Sequence, residues 1–380
     1  MKRAPLFDPA DFRIAPGIAH LCAAGETPFL RQHDVAFAAY AADKSDGPAG
    51  RHRQEAMMEA ARARAAQLFH VPPADIGFVS SVAEGVSMLV ESLDWRAGDT
   101  VLVDPDEYPS VVAPLTLQRQ PKVTLRFAKA ADPASFAAAI DGSTRMIGVS
   151  AVSFMNAARH DLLALRKAAD KVGALLVVDF TQGAGWMPIH AEVADFAFSA
   201  CYKWLLGCTG VALAYWNPAR QPGWVPSTAG WHSIASMGRP DWSETPALLP
   251  GGARFTRGNP SHLGLYVLDS ALRYLEAHKP EAIEAHVQRL TVGLLEQLRD
   301  AGIPSTTPPD PRWHGASVCA EHPKAAAIVD GMARRGVLAW NGRGRIRISF
   351  HGYNGSDDMD RAADALIAGW QAAGASCTIT

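Results

Sequence analysis

The chain has 380 residues, 48% hydrophobic and 19% charged, with a formal net charge of −2. That length suffices for a large core and more than one domain. The near-neutral balance argues against a nucleic-acid or polyanion partner, and no apolar run reaches the length of a membrane span. Five cysteines without CxxC or CxxC...H spacing read as buried or free thiols, not as a disulfide frame or a metal site. The basic start, Met1-Lys2-Arg3-Ala4-Pro5, is followed by no apolar signal core, so a reducing, cytoplasmic setting is expected.

Residues 1–28 are irregular, punctuated by Pro and Gly. A helical region follows over 29–70, broken near 45–50 by a Ser/Asp/Gly/Pro/Gly loop. Its second half sets an apolar stripe of Ala, Met and Leu opposite arginines. Residues 75–86 read as a strand, a tight Ser-rich turn and a helix beginning near Ala83. Backbone N–H groups at such a helix start form a ready anion site. The strand at 100–103 leads into Asp104-Pro105-Asp106-Glu107-Tyr108-Pro109-Ser110. The strand at 145–150 is followed by Ala151-Val152-Ser153-Phe154-Met155-Asn156, then by Asp161 and a helix over 162–172. Together these begin a right-handed β-α-β unit.

The centre of the chain is the stretch 175–215. It holds three short apolar runs, at 175–178, 196–198 and 211–215, each suited to a strand buried in a parallel sheet. The first ends in Asp179. The second runs into Ser199-Ala200-Cys201-Tyr202-Lys203. An acid and a lysine 24 residues apart, each at a strand's carboxyl end, are placed to meet over one cleft. Pyridoxal phosphate (PLP) chemistry wants such a pair. The lysine amine forms a Schiff base with the cofactor aldehyde, and the carboxylate keeps the pyridine nitrogen protonated so that the ring absorbs carbanion charge.

Beyond Tyr215, residues 216–257 form a long irregular loop rich in Pro, Gly and Trp, a length that usually signals function. A helical region spans 263–301. The remainder alternates strands (315–318, 337–340, 345–350) with helices (323–335, 357–373), the last capped by Ser356-Asp357-Asp358. On the strand at 345–350, Arg345, Arg347 and Ser349 share one face.

These residues resemble the class V aminotransferase family of PLP enzymes, which includes cysteine desulfurases, isopenicillin-N epimerases and kynureninases. The resemblance runs from about Leu21 to the C-terminal helix. Asp179, Gln182, Gly185 and Pro188 match D-x-x-Q/H-x-x-G...P, and Ala194-Asp195-Phe196-Ala197-Phe198 precedes the lysine as in the family. Tyr202-Lys203 looks more like kynureninases than desulfurases. Arg254-Phe255-Thr256-Arg257-Gly258-Asn259-Pro260 resembles R-F-x-x-G-T-P, and Arg347, Ser349, Tyr353 and Asn354 match R-x-S-x-x-x-Y-N.

The resemblance implies an α/β enzyme of PLP fold type I: a large domain with a mostly parallel sheet between helices, plus a small C-terminal α/β domain. The expected division is 1–28 as a segment joining the small domain or the site mouth near Ala23-Ala24-Gly25, 29–265 as the PLP-binding domain and 266–380 as the small domain. Lys203 would be catalytic and Asp179 would hold the pyridinium proton. Tyr108 would stack on the ring, with Gln182 and either Ser153 or Asn156 near its hydroxyl. Val82, Ala83, Tyr202 and a partner chain's Asn259 would hold the phosphate, making a homodimer with shared sites. Arg347 would grip an amino-acid carboxylate, and Trp231, beside His232, would line the substrate pocket. The motifs lean toward a kynureninase-like or β-lyase reaction. Aminotransferase and epimerase chemistry are the family's other outcomes, and a non-catalytic PLP-fold binding protein is the reading outside enzymes. Segment 339–344, just before Arg347, has no Cys, and Cys319 falls in a strand, which argues against persulfide-forming desulfuration.

Overall fold

The computed structural model describes residues 3–117, 122–235 and 242–375. Met1, Lys2, Cys377 and part of the long loop at 216–257 lie outside them. Two helices, α1 (His33–Ser45) and α2 (Gly47–Phe69), open the large domain; Pro48 sits in the first turn of α2, where its missing N–H costs nothing. Seven strands then build one sheet: β1 (Ile76–Val79), β2 (Thr100–Val103), β3 (Thr124–Phe127), β4 (Thr144–Ser150), β5 (Leu175–Asp179), β6 (Phe196–Ala200) and β7 (Ala212–Trp216). Their order is β1-β7-β6-β5-β4-β2-β3. All neighbours are parallel except β7, which runs antiparallel to β1 and β6. Nearly every residue of β1, β2, β4, β5, β6 and β7 is buried, because helices cover both faces.

Helix α3 (Val82–Ser92) follows β1, α4 (Pro109–Thr116) follows β2, and α5 (Leu162–Val172) joins β4 to β5. Gly85 lets α3 sit directly on β6: a Cβ there would lie 2.5 Å from the Phe198 ring. Asp195, just before β6, is buried, paired with Arg166 of α5, and accepts the Leu176 N–H at 2.7 Å. The family-type acid of the motif is therefore a structural clamp between α5, β5 and β6.

The long helices α6 (His262–Glu276) and α7 (Pro280–Asp300) lead to the C-terminal part. There β8 (Ser317–Glu321), β9 (Trp340–Gly342) and β10 (Arg345–Ser349) form an antiparallel sheet in the order β9-β10-β8, with α8 (Ala325–Arg334) and α9 (Ser356–Ala375) beside it. Ala19–His20 pairs with Val337–Leu338, and Cys22 bridges to Ser349, so the N-terminal segment is stitched to this part. Sequence patterning did not mark β3 or the short helix Pro133–Ala138. β3 is an edge strand of four residues, partly or fully exposed, without the apolar run that marks its neighbours. The expected strand at 315–318 starts two residues later, because the Gly315 N–H bonds the Ala157 carbonyl outside the sheet.

Candidate active site

Asp179 ends β5 between Ser150 of β4 and Phe198 of β6. Its carboxylate is 5% exposed and accepts the Thr181 N–H at 2.8 Å. The Thr181 hydroxyl accepts the Ala200 N–H at 2.9 Å, closing the end of β5 onto that of β6. Three residues beyond β6 stands Lys203, also 5% exposed. Its loop is fixed from several sides. The Leu206 N–H bonds the Lys203 carbonyl at 2.9 Å, and the Thr27 hydroxyl donates to the same oxygen at 2.9 Å. Leu206 holds a left-handed backbone, φ 57°, a conformation costing about 1 kcal/mol or more outside glycine. Gly185, at φ 106°, brings the turn after Asp179 against this loop; a Cβ there would lie 2.1 Å from the Trp204 carbonyl oxygen.

Asp179 and Lys203 line one cavity of about 220 Å³, with Tyr108, Tyr202, Val82 and Thr209. The Lys203 ammonium lies 5.2 Å from the centre of the Tyr108 ring and 5.4 Å from that of Tyr202. Burial, reinforced by the Arg347 charge, pulls the Lys203 amine down to about 8, while Asp179 and Glu26 hold it up. Burial pushes the Asp179 carboxyl above the usual range, against the Thr181 bond and the Lys203 charge. Behind Tyr108, Glu107 accepts the Tyr108 N–H at 2.6 Å and the Ser150 N–H at 2.7 Å. Burial pushes its carboxyl up to about 7. Glu107 thus fastens the Tyr108 loop to β4.

At the cavity's other end is the start of α3. Ser81 is its cap, accepting the Glu84 N–H at 3.2 Å. The N–H groups of Val82 and Ala83 come earlier in that first turn and have no partner within the helix. Ser80, Ser81 and Gly210 line the same end. A buried amine, a buried carboxylate, an aromatic face and a helix start therefore surround one space, a donor set that fits PLP.

Other expected residues stand elsewhere. Gln182 does not line the cavity. Its amide donates to the Ala24 carbonyl and accepts from the Trp204 indole, both at 3.0 Å, so it ties the N-terminal segment to the lysine loop. The Ser153 hydroxyl accepts the Met155 N–H at 3.2 Å, and the Asn156 side chain accepts the Ala158 N–H at 3.0 Å, both within their own loop. Asn259 and Trp231 form a separate cluster: His232 lies 3.2 Å from Asn259 Oδ1, and the Arg51 guanidinium sits 5.5 Å from the Trp231 ring. Arg347, on β10, donates to the Phe154 carbonyl at 3.1 Å and leaves its Nε without a partner. Sequence reasoning passed over Glu26, Thr27, Thr181 and Thr209. Only the proximity of Glu26 and Thr27 to Ala23-Ala24-Gly25 pointed toward any of them.

The amine's position gives a direct test. An amine-selective reagent acts on the neutral form, so Lys203 modification, followed by peptide mass spectrometry, is expected to rise through a midpoint near 8 rather than near the ordinary lysine value of about 10.4. Glu26→Gln removes a carboxylate that favours the charged amine, and the midpoint is expected to move lower.

The Aminotransferase class-V family model matches residues 37–362. Relatives include a probable cysteine desulfurase of Methanothermobacter thermautotrophicus, 25% identical over 241 residues, 62% of this chain and 59% of that protein. A kynureninase of Burkholderia mallei is 28% identical over 217 residues, 54% of this chain and 51% of the other. This chain therefore aligns with little more than half the length of either relative. Among solved structures, a C-DES mutant with glycine covalently linked to its PLP cofactor superposes with a TM-score of 0.87 at 19% identity, covering 95% of this chain and 99% of that one. At that identity the match speaks to the fold alone.

The desulfurase relative weighs against the exclusion of desulfuration drawn from the cysteine-free segment 339–344. The structure adds a thiol that the exclusion did not consider: Cys22 lies within the electrostatic reach of Arg347, and burial pushes it up to about 11. The match over residues 37–362, the fold and the lysine–carboxylate cavity together place this chain in the class V aminotransferase family, as a PLP-dependent enzyme of fold type I.

Proposed function

We propose that this chain acts on an α-amino acid by a kynureninase-like or β-lyase reaction, cleaving at the substrate's side chain. The carrying observation is the single cavity lined by Asp179 and Lys203 from adjacent strand ends beside Tyr108. When bound, PLP supplies an aldehyde that condenses with amines and a ring that accepts the electron pair left at the substrate Cα.

Lys203 Nζ holds the cofactor and, once released, carries the proton at the substrate Cα. An amine near 8 suits that exchange, because it is poised close to neutral pH. Asp179 holds a proton on the ring nitrogen. Tyr108 covers one face of the ring. The N–H groups of Val82 and Ala83, with Tyr202, receive the phosphate. Asn259 is exposed and lies away from this chain's cavity, so in this reading it acts across a homodimer, at the second protomer's site. Arg347 takes the substrate carboxylate through its unpartnered Nε. Gln182 and Ser153 carry no ring contact in this reading, since their polar atoms serve the protein. Trp231 belongs with the dimer cluster around Asn259. No helix among the described residues is long and apolar enough to cross a membrane, and a cytoplasmic setting is part of the proposal.

The second reading is transamination, supported by two relatives whose names are uncharacterized aminotransferases. A panel of α-amino acids separates the two. Ammonia and a keto acid such as pyruvate, formed without an acceptor, support β-elimination, and alanine released together with a side-chain acid supports kynureninase-like cleavage. Amino-group transfer that requires an added keto acid supports the transaminase. Purified protein without a visible cofactor band and without any of these products would overturn both and favour a binding protein.

A further inference from the structure

β10 carries a second buried guanidinium for which the reading above has no use. Arg345 and Arg347 are 4% and 5% exposed and stand two residues apart on one face of the strand. Each has an Nε without a hydrogen-bond partner. Neither forms an ion pair with a carboxylate among the described residues. Glu321, opposite Arg345 on β8, is exposed and acts on it only at a distance. The thiol opposite Arg347, Cys319, is held neutral by burial.

What Arg345 does touch holds it weakly. Its Nη1 lies 2.7 Å from the Met155 sulfur, a poor acceptor, and its guanidinium lies 5.0 Å from the Phe154 ring. Phe154 also meets Tyr108 edge-on, with centroids 5.0 Å apart, and its carbonyl caps Arg347. The two cations thus flank one loop at the edge of the cofactor cavity. Two like charges buried side by side with no anion are costly: Arg345 weakens the charged state of Arg347, and Arg343 weakens that of Arg345. A ligand with two anionic groups would relieve both.

We propose that Arg345 is a second anion subsite, and that the substrate is an α-amino acid with a distal carboxylate. The α-carboxylate lies on Arg347 and the side-chain carboxylate on Arg345; this rests on the reading of Arg347 given above. Side chains two residues apart on a strand are spaced by about 6.6 Å, a span suited to the two ends of an aspartate- or glutamate-sized di-acid. The flexible Met155 side chain yields the Arg345 position to an oxyanion.

Glutarate and butyrate, matched acids that lack the reactive amine, test this by titration calorimetry on the cofactor-loaded protein. Glutarate is expected to bind at least about 10-fold more tightly, the effect of one added charge-assisted hydrogen bond. Arg345→Gln is expected to bring glutarate down to the butyrate level, and Arg345→Lys to restore part of the difference. Circular dichroism checks the fold of each variant. Equal binding of the two acids by the unaltered protein, absence of glutarate binding, or a preference kept by a folded Arg345→Gln would overturn the proposal. Arg347→Gln is the separate control: weakened binding of both acids upholds the α-carboxylate reading even if Arg345 has no role, whereas unchanged binding of both removes that reading.

Discussion

Replacing Lys203 with alanine is expected to abolish the visible absorption band of the cofactor-loaded protein and to lower turnover at least about 10⁴-fold. A positioned proton carrier alone contributes about 10²–10⁴, and the covalent anchor is lost as well. The expectation follows from placement. The amine is buried, faces Tyr108 and Tyr202, and shares its cavity with Asp179. Burial holds it down to about 8, so a usable fraction is neutral near pH 7. Lys203→Arg sharpens the test. It keeps a long cationic side chain but cannot be deprotonated, so it is expected to fail as completely as alanine. Either variant turning over at a rate comparable to the unaltered protein would refute the assignment. An unfolding curve for each variant separates loss of the chemistry from loss of the fold.

The lysine and its carboxylate were legible for a physical reason. Strands buried on both faces read as short apolar runs, and the first polar residue after each run marks the carboxyl edge of the sheet. Asp179 is such a residue, and Lys203 follows the end of β6 by three residues. Glu107 was not legible as a positioning group, because its partner Ser150 is 43 residues away and only the parallel pairing of β2 with β4 brings them together. Gln182 fits the family pattern, yet its amide faces Ala24 and Trp204. The direction of a side-chain amide depends on which distant carbonyls and indoles remain unsatisfied, and no local pattern carries that information. Arg345 falls between these cases. Strand alternation put it beside Arg347, but the absence of a counterion is a property of the packed sheet.

Asp179→Asn is expected to lower kcat/KM at least about 10³-fold, about 4 kcal/mol of barrier, while leaving Lys203 able to hold the cofactor. Asparagine keeps the volume and can still accept the Thr181 N–H, so a merely structural role for Asp179 would survive the change. What it cannot keep is the negative charge. At 5% exposure and with only the Thr181 hydroxyl and N–H bonded to it, that charge is poorly solvated by the protein. Burial pushes the carboxyl toward its neutral form, and the Thr181 bonds and then the Lys203 cation oppose this. A protonated ring nitrogen against the carboxylate would satisfy it further, which is why the acid is useful only with a cation in the cavity. The coupling works in both directions. Asp179 raises the Lys203 amine, so the asparagine variant is also expected to shift the Lys203 titration midpoint below 8. More of the lysine is then neutral at pH 7, yet activity stays low, and raising the pH does not restore it. An asparagine variant within threefold of the unaltered kcat/KM would remove Asp179 from the chemistry and leave it as a strand-end cap.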